Sequence, residues 1–411
     1  LDKETNFVRG GLSRRAFLAG AVSLIGVTAG ETLLSVVPSP AQEFSQDPTG
    51  VPGRPPRVYG QRAPFVHAQR IPTSTRSLTP LQDLHGIITP SALHFERHHN
   101  GVPQIHPDRH RLLIHGLVRR PLIFTMDELM RFPSVSRLAF IECSGNSGGE
   151  WKRPAGRTVQ ETHGLTSTSE WTGVALATVL REAGVNPEAT WLLAEGSDAA
   201  AMTRSLPLAS IMDTALLCYA QNGEPIRPEQ GYPLRLLLPG WEGNTNIKWL
   251  RRLKLISAPG MTREETSKYT DLMPDGTARQ FTFTMEAKSV ITTPSGGQQL
   301  PKPGFIDIRG LAWSGRGCVK LVEISMDGGQ TWQSADLQAP VLPQCHTRFR
   351  LGWWWDGREA ILQSRCQDDT GYLQPTRKAL INVRGIHSYY HYNGIQSWKI
   401  TSTGEVTNVH V

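Results

Sequence analysis

Past residue 290 the chain changes texture, and this constrains its fold more than any other feature. Phe305-Ile306-Asp307-Ile308-Arg309-Gly310, Val319 to Met326 and Thr331 to Ala335 are short segments in which apolar and polar residues alternate. Asp327-Gly328-Gly329 stands between the last two as a hairpin turn. Alternation with a period of two buries one face of a strand, and Asp-Gly tolerates the positive φ values of a tight turn. Strands separated by turns at such short intervals predict a β-sandwich over 291–411.

The segment before it reads differently. Arg111 to Gly116, Tyr232 to Leu238 and Leu253 to Ile256 have the pattern of strands, Met126 to Arg131 of one or two helical turns. Val174 to Ala183 has helical spacing, with Gly184 as its stop. Residues 81–260 are therefore expected to form a mixed α+β domain, and 411 residues are enough for two cores. Residues 261–290 link the two, and 42–80, rich in Pro, Gly, Arg and Thr, read as an extended arm. Ser13-Arg14-Arg15-Ala16-Phe17-Leu18 and the apolar run after it predict a twin-arginine signal peptide over 1–41 and a periplasmic destination. A membrane anchor is the competing reading. The run carries three glycines between Ala16 and Gly30 and ends at Glu31, so it would span a bilayer poorly. The net charge of +7 comes without a Lys/Arg run interleaved with aromatics. That argues against nucleic acid and for an anionic substrate or an acidic electron-transfer partner.

Three segments could carry chemistry. In Phe140-Ile141-Glu142-Cys143-Ser144-Gly145-Asn146-Ser147-Gly148-Gly149-Glu150-Trp151 an apolar strand ends in a cysteine, and a loop of small residues follows. Such a thiolate could attack a substrate or ligate a soft metal, and small residues let a bulky ligand approach the backbone. An isolated cysteine can equally be a small buried hydrophobe, the reading given to Cys218. His94-Phe95-Glu96-Arg97-His98-His99 offers a guanidinium for oxyanions, or a polar loop, or a zinc pair at His94 and His98. Arg235, followed by the Gly/Asn loop ending in Lys248, suits a phosphate. None of the five cysteines forms a CxxC or CxxCH motif, which predicts no haem in this chain and leaves at least one thiol without an intrachain partner.

Together these segments resemble the sulfite oxidase family of molybdenum enzymes, over most of residues 80–411. The matching motifs are Cys143-Ser144-Gly145-Asn146, the pair Arg97 and His99, Gly231-Tyr232-Pro233-Leu234-Arg235, the loop ending in Ile247-Lys248-Trp249, and Ser267-Lys268-Tyr269-Thr270. The resemblance implies a molybdopterin-binding α+β domain followed by an all-β immunoglobulin-like domain that mediates dimerisation. It implies that Cys143 ligates molybdenum and that His99, Arg235, Asn244, Asn246 and Lys248 hold the molybdopterin. Arg97, Tyr269 and the late Arg384 are implied as catalytic residues.

The departures are informative. Arginines that relatives carry after the cysteine motif are Ser147 and Gly148 here, and an expected tryptophan falls at Gln160 or Glu161. Such a pocket has lost anion-binding charge and gained room. These departures, with His387-Ser388-Tyr389-Tyr390-His391-Tyr392-Asn393, resemble the sulfane dehydrogenase branch. That implies a sulfane sulfur on a carrier protein's cysteine as substrate and a separate c-type cytochrome subunit as electron acceptor, within a hetero-oligomer. Oxidation of free sulfite is the alternative in the same class. From another class, Cys143 could serve a thiol hydrolase with His163 as base.

Overall fold

The computed structural model describes residues 52–411, so the expected signal peptide and the start of the arm lie outside the described residues. The chain divides into two units, Leu1–Phe65 and Val66–Val411. Of the first, residues 52–65 carry no helix or strand. Everything that follows concerns the second.

Its first half is built on two five-stranded sheets. In one, Ser134–Glu142, Thr166–Ala175, Leu216–Gln221 and Glu224–Pro225 lie side by side, and Arg235–Leu237 joins Leu216–Gln221; every pairing is antiparallel. In the other, Leu250–Ile256 lies between Leu112–Gly116, its parallel neighbour, and Trp191–Gly196. The helix Leu176–Ala183 buries Leu176, Val179, Leu180 and Ala183, the i, i+3, i+4, i+7 stripe that a core-facing helix needs. Gly184 ends it at φ 67. The helix is shorter than the spacing predicts because Val174 and Ala175 pair with Leu217 and Leu216 as the end of a strand. The Tyr232 to Leu238 segment likewise shrinks to Arg235–Leu237.

The second half is a sandwich. One sheet runs Lys288–Thr293, Gly304–Trp313, Thr347–Trp355, Asp336–Gln338. The other runs Gln333–Ser334, Val319–Ser325, Ala360–Asp368, Ser397–Ile400, Val406–Val409. Trp313, Trp355, Trp398 and Phe349 fill the space between them, each no more than 1% exposed. The predicted turn forms with Asp327 as its hub: its Oδ1 accepts from Gln330 N at 3.0 Å and Thr331 N at 2.9 Å. The helix Arg377–Arg384, which periodicity did not suggest, lies between the last strands of this half.

Two features add to the reading of the sequence. The arm is ordered strand well before residue 80. Ile71–Pro72 pairs with Arg76–Leu78, which pairs with Glu96–Arg97. Gln160 Nε2 donates to Leu78 O at 2.8 Å and Gln69 O at 3.0 Å, so one of the two residues read at the place of the expected tryptophan pins the arm. All five cysteines are unpaired, Cys345 and Cys366 included. Cys218 is fully buried, and burial pushes its thiol up to about 12, the behaviour of a core residue. Among the described residues, no helix is long and apolar enough to cross a membrane.

Candidate functional site

The strand Ser134–Glu142 delivers Cys143 to the lining of a cavity that opens to solvent. Phe140 and Ile141 are buried behind it, Cys143 N donates to Leu165 O at 3.0 Å, and Asn146 N closes a turn on Cys143 O at 2.8 Å. The thiol is thus aimed by backbone on both sides. Burial raises its pKa; the Gly145 N–H and Arg97 pull the other way without overcoming it, so a nearby arginine alone does not ionise Cys143.

Arg97, His99, Cys143, Arg235, Asn244, Asn246, Lys248 and Tyr269 all line this one cavity, although they are spread over 173 positions (97 to 269). Arg97 is placed by its short strand, paired with Arg76, and its guanidinium donates to His98 O. Tyr269, at φ 52, has its hydroxyl hydrogen-bonded with His99 Nε2 at 2.8 Å. Burial pushes the Tyr269 phenol far up and lowers His99, so the pair is a neutral phenol on a neutral imidazole. Arg235 is fully desolvated over the Trp171 ring, 4.6 Å from its centroid, and donates to Gln230 O at 2.9 Å. Burial brings it down to about 10, still a cation at neutral pH.

His98, which the R-x-H pattern passes over, proves central. Its Nε2 meets Glu96 at 2.8 Å and its Nδ1 accepts from Lys248 Nζ at 2.7 Å, so it relays an acidic anchor to the cavity lysine. Burial lowers His98, with Glu96 opposing, and it is this neutral form that can accept from an ammonium. Asn246 is less available than expected: its Oδ1 accepts from Leu238 N at 2.7 Å and its Nδ2 donates to Glu242 O at 3.1 Å, tying its own loop.

Three expectations are not met. Arg384 does not line the cavity; it is the last residue of its helix, 2% exposed, with Glu286 at 3.7 Å. His163 forms no dyad with Cys143, because it is buried outside the cavity with Nδ1 on Thr162 Oγ1 at 2.9 Å. The thiol-hydrolase reading loses its base. The room expected at Gly148 is already taken: a Cβ there would lie 2.8 Å from Tyr389 O, and one on Gly145 3.3 Å from the Tyr389 ring. Among the described residues no group of His, Cys, Asp and Glu is placed to hold a metal by itself, which removes the zinc reading.

The cavity's unsatisfied atoms suit a polar heteroaromatic ligand bearing an anion. His94 is kept neutral by burial, at about 3; its Nδ1 meets Phe95 O at 3.1 Å, leaving Nε2 a bare acceptor. Asn244 Oδ1 and Arg235 Nε are likewise buried without partners. Acceptors for ring N–H groups, two cations for a phosphate and a thiol for a soft metal fit a molybdopterin.

Known proteins agree with that donor set. Residues 99–263 match the family described as oxidoreductase molybdopterin-binding domain, and residues 279–397 the Mo-co oxidoreductase dimerisation domain. The sulfane dehydrogenase SoxCD of Paracoccus pantotrophus superimposes with a TM-score of 0.86 at 44% identity, over 91% of this chain and 100% of that one. The chain belongs to the sulfite oxidase family of molybdenum enzymes. Within that family, rat mitochondrial sulfite oxidase is 32% identical over 73% of this chain, and rice NADH nitrate reductase 1 is 32% identical over 66%. This chain spans 60% of the rat protein and 33% of the rice protein.

Glu142, Glu242, Lys288 and His391, all buried beside the cysteine loop, carried no signal of their own in the sequence. Glu142 stood next to Cys143 in the motif, but nothing local distinguishes a buried, paired carboxylate from a solvated one.

Proposed function

We propose that this chain is the molybdenum-bearing subunit of a periplasmic sulfane dehydrogenase, acting on sulfane sulfur bound to a carrier protein's cysteine. The single observation that carries the reading is the likeness to SoxCD, at 44% identity over 91% of the chain against 32% over 73% for rat sulfite oxidase. Cys143 would be the protein's ligand to molybdenum; Arg235, Asn244 and Lys248, with His98 behind the lysine, would hold the pterin and its phosphate. When bound, the molybdenum cofactor supplies oxygen-atom transfer to sulfur and accepts the electron pair.

The residues' own part is positioning and charge. Arg97 presents a guanidinium to the anionic sulfur group. Tyr269 keeps its proton and shares a hydrogen bond with His99, so it serves as a fixed neutral hydrogen-bonding group rather than an acid. Electrons would leave to a c-type cytochrome subunit, and the C-terminal sandwich would pair two copies of the chain.

Oxidation of free sulfite is the second reading, favoured by the sulfite oxidase relatives and by a cavity cation of the right sign. The test uses the complex purified with its cofactor from an exporting host. It compares cytochrome c reduction with free sulfite and with a carrier protein bearing a cysteine persulfide. A rate at least tenfold higher with the persulfide supports the proposal, and preference for free sulfite overturns it. Absence of molybdenum from a fully active preparation would overturn both.

A further inference from the structure

The cysteine loop is held from behind by the other half of the molecule. Lys288, the first residue of the sandwich strand Lys288–Thr293, is wholly buried, and its Nζ donates to Glu142 Oε1 at 2.9 Å and Ser147 Oγ at 3.1 Å. One ammonium therefore touches the residue that enters the Cys143 loop and the residue that leaves it. Trp313, from the next sandwich strand, donates Nε1 to Glu142 Oε2 at 2.7 Å, and Asn146 Nδ2 donates to Oε1 at 2.9 Å.

A second clasp comes from the C-terminal segment. His391 N donates to Ser144 O at 2.8 Å, and its ring Nε2 meets Glu242 Oε2 at 2.9 Å. Asn244 bridges the same carboxylate at 2.7 Å to Ser144 Oγ at 3.0 Å. The two glutamates face one another as a parallel bridge, Glu142 with Glu242. Residues 142, 144, 146 and 147 are thus all tied down, while the Cys143 side chain faces the cavity.

A buried ion pair is a poor way to gain stability, because desolvating both charges offsets their attraction; its best-attested use is to fix one geometry among several. We infer that Lys288 is a positioning residue for Cys143: the sandwich domain sets the direction of the thiol by clamping both ends of its loop through the Lys288–Glu142 pair. The sandwich then completes the site of its own chain, in addition to any pairing of two chains. The inference rests on the family reading of Cys143 as the residue that meets the metal.

Its test uses the full chain, in two variants chosen to fold. Glu142→Gln with Lys288→Met removes both charges, so neither is left buried alone. Trp313→Phe removes only the indole donor to Glu142. Alkylation of Cys143 by iodoacetamide in cofactor-free protein, followed on the Cys143 peptide by mass spectrometry, reads the thiol's placement without turnover. The Mo(V) electron paramagnetic resonance spectrum of loaded protein reads the same placement independently. With the unfolding temperature retained, alkylation should rise at least fivefold in the double variant and about twofold in Trp313→Phe, with altered Mo(V) g-values in both. Single Lys288→Arg, which keeps a cation at the clamp, should recover part of the wild-type spectrum. If the folded variants alkylate at the wild-type rate and their spectra are unchanged, the inference is overturned. Wild-type protein that binds no molybdenum would instead overturn the functional proposal, while the alkylation comparison would still decide the clamp.

Discussion

Lys248 should make the cofactor-free protein's stability depend on pH in a predictable direction. Its ammonium is enclosed by Arg97 O, His98 Nδ1 and Glu229 O, with Arg235 nearby, and it holds its proton poorly: burial, then the Arg235 charge, brings it from 10.5 down to about 7. A lysine whose pKa is lower in the folded state than in the unfolded chain penalises folding. The penalty is fully present below about pH 7 and relieved as pH rises towards the unfolded value. The full shift corresponds to about 5 kcal/mol. The open cavity mouth lets water screen the group, so roughly half, about 2 kcal/mol, is the realistic size.

Urea unfolding of cofactor-free wild type and Lys248→Met at ~pH 6 and ~pH 9 isolates this group, because other titrations cancel between the two proteins. Between those pH values the stability of wild type should rise by about 1–1.5 kcal/mol relative to the variant. Pyrophosphate should flatten the wild-type profile and leave the variant unchanged, because an anion beside the ammonium restores its affinity for a proton. Parallel profiles for the two proteins would refute the idea that Lys248 is a desolvated cation waiting for an anion.

Cys143→Ala should lose bound molybdenum, measured by elemental analysis, while its unfolding temperature stays near wild type. Arg97→Met should raise KM for an anionic sulfur substrate about 10–100-fold, the loss of one or two charge-assisted hydrogen bonds, with a smaller effect on unfolding. Gly148→Ala should cost about 1–3 kcal/mol in denaturant unfolding, because its Cβ would meet Tyr389 O at 2.8 Å and the backbone must give way. Trp398→Ala, at a fully buried indole that donates to Ile291 O at 3.1 Å, should cost about 3–5 kcal/mol by the same measurement.

What the sequence made legible was what depends on near neighbours. The turn at Asp327-Gly328-Gly329 forms as read, because a short side chain satisfying nearby N–H groups and two glycines at φ 75 and 92 are local matters. The strand into Cys143 and the small-residue loop after it are local too, and so they were visible. Val174 and Ala175 fit a helical stripe equally well, but the edges of Leu216 and Leu217 claimed them for a sheet; such competition is settled only by tertiary packing. Arg384 fell at a helix end facing Glu286, which no spacing could foretell. Lys288 and Glu142 are 146 positions apart, and either one alone reads as a surface charge.

These placements share an electrostatic logic. The two glutamates nearest Cys143 do not face the cavity as free charges: Glu142 is neutralised from the sandwich side by Lys288, and Glu242 by Arg204 at 3.3 Å and His391 at 2.9 Å. Burial would raise Glu242, but His391 and Arg204 more than compensate and hold it ionised. The cavity side presents Arg97, Arg235 and Lys248 beside imidazoles that burial keeps neutral, with Asp198 as an acid on the same lining. Cations in front and compensated carboxylates behind give the space above Cys143 a positive potential, which favours a thiolate, a ligand phosphate and an anionic sulfur group alike. An uncompensated carboxylate at 142 or 242 would oppose all three. The second domain's lysine therefore does two things at once: it aims the loop, and it keeps that loop's own carboxylate from repelling what the cavity is built to hold.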